Sequence, residues 1–365
     1  MDFTLSQDQR ELKAAARHYL SQSYPLTRIA ELSDGAGVDS QAWPELLRQG
    51  WLDPELDMLE LALLAEEGGR ALHPVPWWVT VALALPVYQA ARLPLPGPAT
   101  LADGSTSCQA RQQATGWSLT GQAPSVLQAG SVIEIVIAAH TPAGTALFAV
   151  EPDGPGVTLT ERAGLDPLRI SAQLGLVDAP ARLLLDAPAA GPVLAAIARR
   201  WQVLLACEAV GVADRVLELA VDYAKTRTQF DRPIGSYQAV AHQLADSYAA
   251  VELARSLAYR AAGVLAGEPD QPDQPGGPDQ PDGAAEAIAC AVYAGTRAAV
   301  SGCEVAMQVT GGLGVTWEYP LHRWYRRALF LQARAAAGPD PLTVLAGELL
   351  AATAADQIEG ALASA

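Results

Sequence analysis

The sequence predicts an α+β chain of several domains: an N-terminal α domain over residues 1–93, a middle β-sheet domain over 94–190 and a C-terminal four-helix bundle over 191–365. Three observations carry that reading. Apolar residues recur at helical spacing near the N-terminus, short runs broken by Gly, Pro and Asp begin at about Cys108, and helical periodicity returns after Pro192.

In chain order, Ser6 with Gln9 is spaced as a capping box, and Leu5, Leu12, Ala16 and Tyr19 follow a helical period. Asp57 with Glu60 repeats the device ahead of Leu61, Leu64 and Ala65, and Gly68-Gly69 is expected to end or loosen that helix. Strands are expected at 117–120, 133–137, 146–150 and 157–160, within a β region of about six to eight strands. Beyond Pro192, the residues Ile197, Trp201, Leu204, Leu205, Val212 and Leu219 lie on one very long apolar helix. Further helices are expected over about 236–266, 284–309, 319–336 and 341–362. Long helices joined by short turns make an antiparallel bundle. One connection differs: residues 268–283 form a Pro/Asp/Gln/Gly tract too polar to join a core, and read as a solvated loop between two bundle helices.

Half of the 365 residues are apolar, enough for a large core, while the formal net charge is -16 and the pI near 4.7. Such a field repels phosphate backbones and anionic lipid, which argues against nucleic acid or a membrane surface as partner. The opening residues lack a basic-then-apolar leader pattern and the apolar run at 79–87 is too short to span a bilayer, so a cytoplasmic location is expected. Cys108, Cys207, Cys290 and Cys303 contain no C-x-x-C pair and the five histidines are dispersed, so no metal site or disulfide framework is expected. Cys207 and Cys290 sit in apolar helical runs as small core residues.

Two motifs are more specific than composition. Thr226-Arg227-Thr228-Gln229-Phe230-Asp231-Arg232-Pro233-Ile234-Gly235-Ser236-Tyr237-Gln238 places a guanidinium at the end of a long helix, then an aromatic ring and a Pro-Ile-Gly turn. Alone, such a cation would read as a partner of the helix dipole. Gln308-Val309-Thr310-Gly311-Gly312-Leu313-Gly314, followed by Glu318-Tyr319-Pro320, is a Gly-rich turn whose bare backbone could approach a ligand. The first closely resembles the R-x-Q-F-G-x-P-I-G-x-[FY]-Q segment of the acyl-CoA dehydrogenase flavoproteins, and the second their Q-x-x-G-G-x-G-x-x-x-E-Y-P segment. Residues 1–20 and 59–76 also resemble that family's N-terminal helices, so the likeness covers nearly the whole chain.

The resemblance implies an acyl-CoA thioester as substrate, FAD as cofactor and an electron-transfer acceptor. It implies that Arg227, Phe230, Gln238, Gln308, Gly311 and Gly312 bind the dinucleotide, with Arg227 on the pyrophosphate and Phe230 toward the adenine side. In the family these groups reach a neighbouring subunit's FAD, which implies an oligomer.

The family reaction takes a proton beside the thioester while hydride leaves to the flavin, so it needs a carboxylate base. The usual position falls here on Ala335, in the turn Arg334-Ala335-Ala336-Ala337. The alternative, early in the long helix, falls near Trp201 or Gln202. None is acidic. Glu208, two turns past Trp201, is a rival base or else a structural carboxylate paired inside the bundle. Glu318 belongs to the Gly-turn motif and Asp340 is placed as a helix cap. The Thr-Glu-Pro and Trp-Ile-Thr segments that contact the flavin ring in the family are absent from 80–100 and 121–128. Intact ADP-side motifs beside a missing base resemble the base-less subunit of heteromeric α2β2 actinobacterial acyl-CoA dehydrogenases of steroid side-chain catabolism. That implies a second, base-bearing subunit as partner.

Overall fold

Helix α1 (Gln7–Ser23) starts where the reciprocal cap places it: the Ser6 amide donates to Gln9 Oε1 at 3.0 Å and the Gln9 amide to Ser6 Oγ at 3.1 Å. The computed structural model describes residues 5–35, 37–102, 107–114, 116–267 and 283–350. Helices α2 (Leu26–Asp34), α3 (Trp43–Arg48) and α4 (Met58–Arg70) follow, the last with Asp57 and Glu60 as a complete capping box. α5 (Trp77–Val79) passes through one π-helical turn at Thr80–Ala84 into α6 (Leu85–Ala90). Seven strands come next: β1 (Ala99–Leu101), β2 (Ser107–Gln113), β3 (Gly116–Leu127), β4 (Glu134–Thr141), β5 (Gly144–Val150), β6 (Val157–Arg162) and β7 (Ser171–Leu185). Then come α7 (Ala187–Thr226), the short strands β8 (Thr228–Gln229) and β9 (Arg232–Pro233), and the helices α8 (Gln238–Ala266), α9 (Gly283–Thr310) and α10 (Leu321–Ala336). Residues 341–350 are again helical, capped by Asp340, whose carboxylate accepts from the Thr343 amide at 3.0 Å. The expected solvated loop over 268–282 and the end of the last helix beyond 350 lie outside the described residues.

The chain divides into two compact units, one of Met1–Ser21, Asp57–Ala71 and Gln202–Ala365, the other of Gln22–Leu56 and Leu72–Trp201. In the second unit the sheet runs β1-β4-β2-β3-β7-β5, with β6 on β7 and a further β4–β5 pairing that closes the path on itself. Alternation puts Leu119, Ile135, Ile137, Phe148, Leu174 and Leu176 into one apolar cluster. The opposite side packs Val136, Leu147 and Ala149 against Val87, Tyr88, Val193 and Ile197 from the helices. The central strand β7 had no counterpart among the expected strands, because its Gly175, Asp178 and Pro180 read as turn residues. In place they sit in a ladder with β3 that carries register shifts at Leu119/Gly121 and Ala123/Val126.

The first unit is helical. Two expectations are corrected there and at its entry. Gly68-Gly69 does not end α4; both lie buried inside it. A Cβ on Gly69 would stand 2.1 Å from the Glu208 carbonyl oxygen and one on Gly211 1.8 Å from that of Glu66, so glycine is required where α4 and α7 cross backbone to backbone. The long helix also begins five residues before Pro192, which lies inside it in the second turn and removes one backbone donor there.

Candidate functional site

The helical unit brings the two motifs to one cleft. α7 ends at Thr226, and the next five residues fold back as the two-residue hairpin β8–β9, with Thr228 opposite Pro233 and Gln229 opposite Arg232. Its turn residues Phe230 and Asp231 both have positive φ, 52° and 65°. A tight hairpin demands that conformation, which is costly for non-glycine residues. The surroundings hold it: the Tyr237 hydroxyl donates to the Gln229 carbonyl at 3.1 Å, the Arg232 guanidinium lies 3.9 Å from the Tyr237 ring centre, and the Ile234 amide donates to the Arg227 carbonyl at 2.9 Å. Gly235 lets this turn lie against α7, since a Cβ there would meet the Ala224 carbonyl oxygen at 3.1 Å.

From the other side, α9 ends at Thr310 and passes into the tight turn Gly311–Val315, with Gly311 at φ +60°. Between the two lies a cleft of about 480 Å3 lined by Tyr223, Arg227, Gln229, Ile234, Val309, Thr310, Gly311, Gly312 and Leu313. Tyr223 meets Tyr319 of the Glu-Tyr-Pro segment edge-on at 6.3 Å, and burial, then Tyr223, pushes the Tyr319 hydroxyl above its ordinary range.

Of the expected dinucleotide ligands, Arg227, Gly311 and Gly312 thus meet at one cleft, while Phe230, Gln238 and Gln308 are exposed and do not line it. Phe230 is 88% exposed. The residues present fit the ADP half of a flavin dinucleotide. The Arg227 side chain makes no hydrogen bond or ion pair to another described residue, and a Cβ at Gly311 or Gly312 would meet nothing within 4 Å, so backbone without side chains borders open space.

The positions examined for a base are different. Ala335 sits half-buried near the end of α10, and its carbonyl accepts from the Gly338 amide. Trp201 packs on Trp78, ring centres 4.3 Å apart, with the Arg169 guanidinium 5.2 Å from the Trp78 ring. Glu208 is buried in the helical unit, where Arg327, itself fully buried, donates to its carboxylate. Sequence reasoning missed that partner, and the Trp78–Trp201 stack. A buried acid network was also missed, although adjacent Glu66 and Glu67 inside the apolar run of α4 signal it. Cys207 is buried as expected, and burial raises its thiol; Cys290 is half-buried.

The acyl-CoA dehydrogenase C-terminal domain profile matches residues 199–340. Over 316 residues, 83% of this chain and 85% of that protein, the sequence is 30% identical to the acyl-CoA dehydrogenase IpdE2 of Mycobacterium tuberculosis. The chain belongs to the acyl-CoA dehydrogenase family. Among solved relatives of this acyl-CoA dehydrogenase, the ChsE4–ChsE5 complex of M. tuberculosis superposes with a TM-score of 0.81 at 25% identity, covering 96% of this chain and 99% of that one. The Tcur3481–Tcur3483 steroid acyl-CoA dehydrogenase gives 0.78 at 26%, covering 96% and 100%. Structures with this fold hold FAD or its reduced form. No helix among the described residues is long and apolar enough to cross a membrane, and no group of His, Cys, Asp or Glu among them could hold a metal.

Proposed function

We propose that this chain is the base-less subunit of a heteromeric FAD-dependent acyl-CoA dehydrogenase and completes the flavin site of a base-bearing partner. One observation carries the reading: the cleft at Arg227, Gly311 and Gly312 is open with its guanidinium unpaired among the described residues, whereas Ala335 and Trp201 are not acidic and Glu208 is held by Arg327. Arg227 pairs bidentately with the pyrophosphate, the Gly311–Gly312 amides border it, Phe230 offers its ring to the adenine side, and Gln238 and Gln308 supply polar contacts at the rim. Bound FAD supplies the hydride acceptor for α,β-dehydrogenation of an acyl-CoA thioester. The proton beside the thioester goes to a carboxylate of the partner, and an electron-transfer acceptor takes the reducing equivalents. The likeness to ChsE4–ChsE5 supports pairing of two different chains, and the likeness to a steroid acyl-CoA dehydrogenase supports a steroid side-chain CoA as substrate.

The test is expression alone and with the product of a neighbouring gene. The chain alone is expected to be colourless, and the co-expressed pair to purify as one mixed oligomer with one FAD per two chains. Arg227→Ala in that oligomer should weaken flavin retention about tenfold or more. A yellow homo-oligomer that turns over substrate, with turnover lost in flavin-loaded Glu208→Gln, would replace the proposal with a homomeric enzyme using a relocated base. A stable colourless homomer without turnover, indifferent to the partner, would replace it with a non-redox CoA-ester-binding role.

A further inference from the structure

The helical unit contains a second cleft, which shares no lining residue with the first. Arg10, Lys13 and Arg17 recur along one stripe of α1, and with Arg255 of α8 they wall a space of about 460 Å3 that Leu5, Ala14 and Asp214 complete. Four cations face one carboxylate there, in a chain whose net charge is -16. Two of the acids that balance them lie behind the wall: Glu66 and Glu67 of α4 are each 1% exposed and do not line the space.

Those buried acids fix the cations. Arg17 donates through Nε and Nη2 to the two oxygens of Glu67, both at 2.8 Å. Lys13 reaches Glu66 at 2.8 Å and the Tyr259 hydroxyl at 2.7 Å. Arg255 reaches Glu66 at 3.0 Å and Asp214 at 2.9 Å and also pairs with Glu252, while Arg10 donates to the Leu5 carbonyl. A guanidinium carries five N–H groups and an ammonium three, so each of these side chains keeps donors beyond those engaged. Side-chain entropy is therefore lost on folding, not on binding, and a ligand meets an array that is already ordered.

We propose that this cleft binds a phosphate-bearing anion. Cationic N–H donors left over on two helices suit an oxyanion, and the space exceeds one phosphate group, leaving room for the ester of an organic phosphate. The inference is independent of the flavin reading, because it uses none of the same residues.

Calorimetric titration of the full-length chain, in whichever oligomer it forms, with inorganic phosphate and with glycerol phosphate at constant ionic strength tests it. Saturable binding is expected, weakened about tenfold or more by Arg10→Gln and retained in Arg227→Ala. Among the described residues Arg10 has no carboxylate partner, so its replacement strands no buried acid and should leave Tm without ligand unchanged. Arg17→Lys, which keeps the charge beside Glu67 but has fewer N–H donors to spare, provides a second variant and should also weaken binding. Tighter glycerol phosphate would identify an ester as occupant, and equal affinity a free phosphate. Heat no larger than that of matched chloride, affinity unchanged in both Arg10→Gln and Arg17→Lys, or binding abolished by Arg227→Ala would overturn the assignment.

Discussion

Glu208 shows how one carboxylate changes meaning with its neighbour. On the helix it follows Trp201 by two turns, which makes it a candidate base; in the bundle it receives a hydrogen bond from a guanidinium with no exposure at all. Glu208→Gln removes the charged acceptor from a buried ion pair, so it should destabilise the chain by about 3 to 5 kcal/mol in chemical denaturation. At the hairpin tip, Asp231 occupies the place where the resembled motif has glycine, with φ at 65°. Aspartate tolerates that conformation because its short polar side chain bonds locally, whereas a β-branched residue does not. Asp231→Val should therefore lower stability by about 1 to 2 kcal/mol, read as a Tm shift, and Asp231→Gly should not.

Among elements, the crossing of α4 and α7 is the least tolerant of change. Gly211→Ala forces a methyl group to 1.8 Å from a backbone oxygen, which no rotamer can relieve, and separating the helices would disturb the Arg70 pairs with Asp214 and Glu218. We expect a loss of about 3 kcal/mol or more in equilibrium unfolding, or failure to accumulate as folded protein. The element map shows where local signals suffice. Capping boxes announced α1 and α4, because a cap is written within four residues; α8, α9 and α10 begin within about two residues of expectation, because their periods are long. β7 escaped because a central strand carrying Gly, Asp and Pro contradicts strand propensity, and only its pairing with β3, β5 and β6 makes it a strand.

At the scale of the molecule, stability should depend on pH through the buried acids of the helical unit. Burial alone would raise Glu66, yet Lys13 and Arg255 more than offset it and hold the carboxyl below its ordinary range. Asp214 is likewise raised by burial and brought below its range by Arg255 and Arg70. A depressed carboxylate contributes stability above its unfolded pKa, about 4, and loses it as pH falls through the lower folded value. Thermal melts across the acid range should therefore show Tm falling below about pH 4, with a shallower slope in Glu66→Gln.

The order of helices, sheet and bundle, the caps and the two flavin motifs were legible in the amino-acid sequence, because each is encoded by residues a few positions apart and by periods of two or 3.6. That neither Ala335 nor Trp201 is acidic was legible too, and a resemblance in spacing is what implies a base there. Tertiary structure alone decided that Arg227 meets Gly311 and Gly312 across one cleft, and that Gly68 and Gly69 continue a helix. It also decided that Glu208 belongs to Arg327, 119 positions away. Those outcomes depend on which helix faces cross, and a face shows its apolar stripe in the sequence but not the partner that will cover it.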